Sequence, residues 1–216
     1  MHIYRRLWYY IRELLFPERC AGCTQPGTSW CTDCRLPLRY TLPRTKKDIT
    51  LATFPYRHPT IRSVVLKLKR RHNKELVSLC GHALAEMIAY LREKRPDIPK
   101  TITLVPIPLH RGRLVSRGFN QALVLARMSA RYLSHTHVDA RLLTKKRRTQ
   151  KQTTLQNRIR RKQNVEDAFK VHSQCTKNTH YIIIDDVTTT GATLTQARRA
   201  LKRAGARYVS AVALAG

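Results

Sequence analysis

The chain is predicted to be an α/β protein, a mostly parallel sheet with helices between its strands, preceded by a small four-cysteine module that resembles a zinc ribbon. Three observations carry this. Fully apolar runs such as residues 181–184 suit central strands buried on both faces. Those runs alternate with amphipathic helical patterns. Two Cys-x-x-Cys pairs, Cys20/Cys23 and Cys31/Cys34, stand near the N-terminus with seven residues between them.

The elements follow in order. Ile3, Leu7, Tyr10 and Leu14 keep helical spacing until Pro17 stops the run, which makes residues 1–17 a short basic-aromatic helix. It either packs on the rest of the chain or lies on a membrane surface, where Trp8 and Arg5, Arg6 and Arg12 would suit anionic lipid. The module and a proline-bearing linker fill residues 18–48, and a larger domain takes 49–216. In that domain residues 49–54 read as a strand and 61–69 as a helix. A longer helix from Asn73 puts Leu76, Leu79, Cys80, Ala83, Leu84, Met87, Ile88 and Leu91 on one face. A β-rich stretch at 101–109, broken by Pro106 and Pro108, precedes a helix marked by Ala122, Leu125, Ala126 and Leu133. Short and long strands at 168–171 and 181–184, a helix bearing Leu194, Ala197, Leu201 and Ala204, and a strand at 208–214 complete the set.

Composition bounds the function. The 216 residues carry 42 Lys+Arg against 13 Asp+Glu, a formal charge of +29, with 42% hydrophobic residues. A core can form, and so basic a surface calls for nucleic acid, lipid headgroups or polyphosphorylated ligands. Every apolar run is far shorter than the ~20 residues that span a bilayer, and the N-terminus lacks the apolar core and cleavage site of a signal peptide. The expectation is a cytoplasmic protein, peripheral to the inner membrane if the first helix touches lipid.

Four thiolates from Cys20, Cys23, Cys31 and Cys34 close a tetrahedral site, so a structural zinc is expected, folding a segment too small for its own core. Two disulfides, a redox pair or an iron–sulfur cluster compete with that reading, and the two symmetric knuckles suit zinc better. Cys80 falls on an apolar helix face and reads as a buried thiol. Cys175, in a polar stretch, reads as a free surface thiol.

The segment 181–194 is the most informative. From Ala168 onward, 49 residues, the sole acids are Asp185 and Asp186, side by side after an apolar strand. Adjacent carboxylates repel, so the pair calls for a cation or hydroxyl donors. Thr189, Thr190, Gly191, Ala192 and Thr193 follow, and hydroxyls, backbone N–H groups and a helix N-terminus there make a cradle for a monophosphate. The bland alternative is a helix cap behind a solvated turn. No Gly-x-x-x-x-Gly-Lys-Ser/Thr run is present, which excludes a nucleoside triphosphatase loop.

The acid pair and threonine loop resemble the phosphoribosyl pyrophosphate (PRPP) motif of type I phosphoribosyltransferases. The whole chain further resembles the ComF family of competence proteins (ComFC/GntX-like). That likeness rests on Phe16, Pro17, Cys20 and Cys23, on Val105 to Pro108, on Arg117 to Gln121, on Thr149, Gln152 and Leu155, and on Ala168 and Phe169. The resemblance implies a type I phosphoribosyltransferase-like sheet in which Asp185 and Asp186 bind the ribose hydroxyls, Thr189 to Thr193 hold the 5-phosphate, and Mg²⁺ accompanies PRPP. Residues 105–111 then fall where such enzymes carry their pyrophosphate loop, with an X-Pro bond there a candidate for cis geometry. Arg111, Arg113 and Arg117 become candidates for the diphosphate, any one of them equally a solvated charge.

Residues 141–162 hold ten Lys/Arg and no acid. Lys145, Lys146, Arg147, Arg148, Lys151, Arg160 and Arg161 exceed what one diphosphate needs, and are expected to track a nucleic-acid backbone, single-stranded DNA first, unless they form a solvated loop. Further positive charge is expected on Arg62, Lys67, Lys69, Arg70 and Arg71, and on the outer side of the last helix at Arg198, Arg199, Lys202 and Arg203. Together these readings make the protein a PRPP-binding, phosphoribosyltransferase-like component of natural transformation that handles incoming DNA, with DNA-uptake helicase or channel proteins as partners. The rivals are an active transferase with an unknown acceptor, no catalytic residue being forced by the sequence, and a peripheral membrane scaffold.

Overall fold

A computed structural model describes residues 17–35, 50–70, 73–145 and 168–216, the side chain of Arg111 excepted. The expected helix over 1–17, all but Pro17, and the linker beyond Arg35 lie outside the described residues.

Five parallel strands form the main sheet in the order β1-β7-β6-β2-β3, where β1 is Thr50–Phe54, β2 Ile102–Pro106, β3 Thr136–Val138, β6 His180–Val187 and β7 Tyr208–Ala215. The central strands are the most apolar. All five residues of β2 are buried, as are the first five of β6, as expected for strands covered on both faces. The cysteine module carries α1 (Thr32–Arg35), and between the strands run α2 (Pro59–Arg70), α3 (Lys74–Lys94), α4 (Arg111–Arg117), α5 (Gln121–Ala130) and α6 (Ala192–Arg203). A short antiparallel ribbon pairs β4 (Leu143–Lys145) with β5 (Phe169–Val171).

Two apolar layers clamp the sheet. On one face α2, α3 and α5 bury Ile61, Leu68, Leu84, Ile88 and Leu125 against Ile102, Leu104, Ile182, Ile184 and Val212. On the other, α6 and the ribbon bury Leu194, Leu201, Leu143 and Phe169 against Val105, Ile183 and Ala211. Alternate residues of each strand therefore feed opposite layers, the period-2 consequence of the pleat. Asn73 caps α3 by accepting from Leu76 N at 2.9 Å, and its first turn carries Glu75.

The cysteine module sits on the first layer. Trp30 is buried and meets Phe54 edge to face at 5.4 Å. Glu75 accepts from Thr28 Oγ1 at 2.7 Å and from Ser29 N at 2.9 Å, and Asn73 Nδ2 donates to Ser29 Oγ at 2.6 Å.

Several expectations are corrected. Cys175 is buried, 7% exposed, because its backbone N–H donates to Ala204 O and turns the thiol under the end of α6. Arg198 is 4% exposed and turned inward, its Nη2 donating to Thr50 Oγ1 at 2.9 Å, so the basic outer face of the last helix loses that member. The helix through Ala122 ends at Ala130, leaving Leu133 beyond it. Among the described residues no peptide bond is cis, so the X-Pro bonds of residues 105–108 are trans. The three-residue strands β3 and β4 and the helix α4 have too few residues to show a period.

Candidate phosphate-binding site and cysteine centre

The carboxyl ends of parallel strands are where open α/β sheets bind ligands, and the acid pair stands at that edge. Asp185 and Asp186 stand at the C-terminal end of β6, where Asp185 is in register with Ala213 of β7. Each carboxylate accepts a hydrogen bond from the next backbone N–H: Asp186 N to Asp185 Oδ1 at 2.9 Å, and Val187 N to Asp186 Oδ1 at 2.8 Å. Burial, then the neighbouring Asp186 charge, push the Asp185 carboxyl up to about 7, against the pull of the Lys145 ammonium.

The loop after the strand opens toward water. Thr188 N donates to Ala215 O at 2.8 Å, which pins the loop's first residue to the end of β7. Thr189 and Thr190 are exposed, and Thr190 Oγ1 accepts from Ala192 N at 3.4 Å. Gly191 takes φ +69° at the N-terminus of α6, a conformation that side chains disfavour, and as the N-cap residue it brings no side chain to the helix end. Ala192 and Thr193 are the first residues of α6, both exposed. Gly191 itself supplies no cap, and the long contact from Ala192 N to Thr190 Oγ1 is the side-chain bond seen at that first turn, an end that favours an anion.

The neighbouring strand brings the second predicted segment alongside. Pro106 of β2 is in register with Ile184 of β6, and Ile107 N donates to Ile184 O at 2.9 Å. Residues 107–110 therefore leave the sheet beside the acids and lead into α4. Arg111 opens α4, Arg113 is exposed on it, and Arg117, half-buried at its end, donates from Nη1 to Gln121 Oε1 at 3.3 Å.

One residue of this edge was missed. Lys69, assigned from sequence to a general basic surface, reaches from α2 to Asp186, Nζ to Oδ2 3.4 Å. The acid pair needed a cation, and a lysine far upstream, on α2, supplies it. Its signal was present only as the acids' need, since nothing in the spacing of 61–69 points at residue 186. Lys67 is likewise engaged, donating to Arg19 O of the cysteine module.

Of the nucleic-acid candidates, Lys145 ends β4 with its ammonium 6.0 Å from the centre of the Phe169 ring. Its charge acts on Asp185, so it belongs to the rim of the same edge. Lys146, Arg147, Arg148, Lys151, Arg160 and Arg161 lie outside the described residues. A cavity of about 280 Å³, lined by Thr103, His137, Asp139, Leu142, Thr179 and Tyr181, sits at the opposite ends of β2 and β6 and contains none of the predicted site residues.

The four cysteine sulfurs lie within 4.8 Å of one another. Cys20 and Cys31 are 3.5 Å apart and Cys23 and Cys31 3.7 Å. Bonds of about 2.3 Å at tetrahedral angles place sulfurs roughly 3.8 Å apart, so the set fits one tetrahedral metal ion. Backbone N–H groups of Gly22 and Cys31 point at Cys20 Sγ, at 3.3 and 3.4 Å. Burial pushes the Cys20 thiol up, and these backbone hydrogen bonds outweigh it, drawing it down to about 6. Gly22 is required for the approach: a Cβ there would stand 2.7 Å from Cys34 Sγ. The cysteines are free of disulfides.

No family model matches the chain. It is similar to the DNA utilization protein YhgH of Escherichia coli K12, 29% identical over 201 residues that cover 88% of this chain and 85% of that one. Competence protein F of Haemophilus influenzae is 30% identical over 128 residues, 57% of this chain and 53% of that one. Competence protein ComFC of Bacillus subtilis is 38% identical over 110 residues, 51% of this chain and 41% of that one. These likenesses support a ComF-family protein, at low to moderate identity. A hypoxanthine phosphoribosyltransferase from Trypanosoma cruzi overlays on 63% of this chain and 65% of its own, at 15% identity and a TM-score of 0.37. The fold is read from the sheet itself: five parallel strands with helices between them, and a four-cysteine cluster at the N-terminal end. Among the described residues no helix is long and apolar enough to cross a membrane.

Proposed function

We propose that this ComF-family protein binds PRPP with Mg²⁺ at the carboxyl edge of its sheet and acts in natural transformation, handling incoming DNA on the cytoplasmic side. One observation carries the reading: the acid pair Asp185/Asp186, the N-terminus of α6 and the 107–117 segment share one edge, with Pro106 and Ile184 in register. In that arrangement the two carboxylates accept hydrogen bonds from the ribose diol, the first turn of α6 with Thr189 to Thr193 takes the 5-phosphate, and the arginines after β2 are the candidates for the diphosphate. Mg²⁺ when bound would neutralise diphosphate charge. Zinc is the metal proposed for the cysteine centre, with a structural role, since four protein thiolates leave no position for substrate.

The relatives named for competence and DNA utilization, with the surplus of positive charge, support DNA as the second partner, single-stranded DNA first. DNA-uptake helicase or channel proteins, and a membrane contact through residues 1–17, extend the same reading. An active transferase is the second reading, favoured by the Asp185 carboxyl near 7, a range in which a carboxyl can move a proton at neutral pH.

Calorimetric titration with PRPP and Mg²⁺ tests the pocket. Asp185→Ala combined with Asp186→Ala should abolish the binding heat while circular dichroism keeps its folded spectrum; undiminished binding sinks the assignment. Pyrophosphate release across a panel of acceptors then separates the readings: release that requires an acceptor marks an enzyme, and none despite PRPP binding marks a ligand-gated binding protein.

A further inference from the structure

Arg111, Arg113 and Arg117 are equal candidates by sequence, and the structure separates the last two. Arg113 is exposed, whereas Arg117 is half-buried and held by Gln121. A guanidinium donates and cannot accept, so the atom of the Gln121 carboxamide that faces it must be the oxygen. That fixes the amide nitrogen on the other side of the group. Gln121 is 3% exposed, and its Nε2 has no hydrogen-bond partner among the described residues. Buried side-chain polar atoms nearly always have a partner. An orphan donor beside a positioned cation therefore marks the place of an acceptor that arrives from outside.

The position agrees. Gln121 is the first residue of α5, a ten-residue helix whose N-terminal end favours negative charge. Asn120, the residue before it, donates from Nδ2 to Ile107 O at 3.0 Å, and Ile107 N donates to Ile184 O at 2.9 Å. Two hydrogen bonds thus tie this helix end to the strand residue that precedes Asp185.

We propose that Gln121 is a ligand residue: its Nε2 donates to an oxygen of a diphosphate that Arg117 grips, while its Oε1 sets the pose of the Arg117 guanidinium. The inference rests on the phosphoribosyl reading of the acid pair and supplies the diphosphate end of that site. It also selects Arg117 over Arg113, which no side chain among the described residues is seen to hold in place.

The test is calorimetry on the full chain with three probes, each with Mg²⁺: inorganic pyrophosphate, PRPP and ribose 5-phosphate. Gln121→Glu and Gln121→Met should bind pyrophosphate and PRPP about tenfold to hundredfold more weakly and ribose 5-phosphate as wild type does. Gln121→Met also removes the orphan donor, so it should melt no lower than wild type in plain buffer and yet lose the rise in Tm that pyrophosphate gives. A lower Tm with an undiminished pyrophosphate effect would make Gln121 a purely structural residue and overturn the proposal. Arg117→Gln gives the same reading if either Gln121 variant fails to fold. Wild-type protein that binds neither PRPP nor ribose 5-phosphate removes the phosphoribosyl reading itself. Binding of both, with Gln121 variants equal to wild type, removes this inference alone.

Discussion

Lys69 Nζ stands 3.4 Å from Asp186 Oδ2, joining the helix after the first strand to the acid pair at the end of β6. Two adjacent carboxylates in so basic a chain are thereby partly neutralised from within the protein. Both partners are partly exposed, 26% and 17% at the side chain, so the pair contributes about 1 kcal/mol or less. Lys69→Met is expected to lower stability by that amount in urea melts at low salt, with the loss shrinking at high salt. An unchanged melt at low salt would return Lys69 to the general basic surface.

Asp185 makes stability fall with rising pH. Its carboxyl is held at about 7, against 3.8 for an unperturbed aspartate, by burial and by Asp186. Between those values the folded chain keeps a proton that the unfolded chain has released, so folding weakens as pH climbs from about 4 to about 7. Asp185→Asn should be more stable than wild type at pH 8, by on the order of 1–3 kcal/mol after allowance for solvent, and nearly equal to it at pH 4. PRPP affinity of the wild type should rise from pH 6 to pH 8, as the carboxylate that accepts from the ribose diol becomes ionised. A flat profile in both measurements would mean that Asp185 titrates as an ordinary aspartate.

The cysteine centre predicts its own chemistry. Protein purified without added metal should contain about one ion per chain, and Cys20→Ser should lose it. Gly22→Ala should weaken metal retention with all four thiols intact, because its methyl would press on Cys34 Sγ at 2.7 Å.

Glu75 anchors the module to α3, and the two hydrogen bonds it accepts act against burial to hold its carboxyl below the usual range. A depressed folded value means the contribution is present above the unfolded value near 4.5 and is lost as pH falls below it. Glu75→Ala should destabilise docking by about 1–3 kcal/mol at pH 7, read as faster proteolysis after Arg19 or Arg35, and by progressively less as the medium is made acidic.

DNA affinity should fall steeply with salt, and neutralising Lys145, Lys146, Arg147 and Arg148 should flatten the slope of log affinity against log salt. A complex indifferent to salt would remove the electrostatic case for residues 141–162.

Long apolar patterns were legible before any coordinates. The face of α3 from Leu76 to Leu91 and the run 181–184 bury as their periods require, since the hydrophobic effect acts on every residue of such a run. The acid pair was legible because acids are scarce, and the cysteines because metal geometry restricts their spacing. What escaped was tertiary. Lys69 and Arg198 look like surface charges in their own helices, and only the packing of α2 and α6 on the sheet brings them to Asp186 and Thr50. Cys175 misled for the same reason: its polar neighbours are exposed while it turns inward beneath Ala204.

The pairing of β1 with β7 bears on how the chain is made. Thr50 lies beside Ala211 and Phe54 beside Ala215, so among the described strands one synthesised early has no hydrogen-bonding neighbour until β7 is made. Contacts so distant in sequence slow folding and leave intermediates open to aggregation. The cysteine module is different, because its four ligands lie within fifteen residues and it can close on a metal ion at once. Its Trp30 then offers Phe54 an apolar cover, shielding the waiting edge of the nascent sheet until its C-terminal partner arrives.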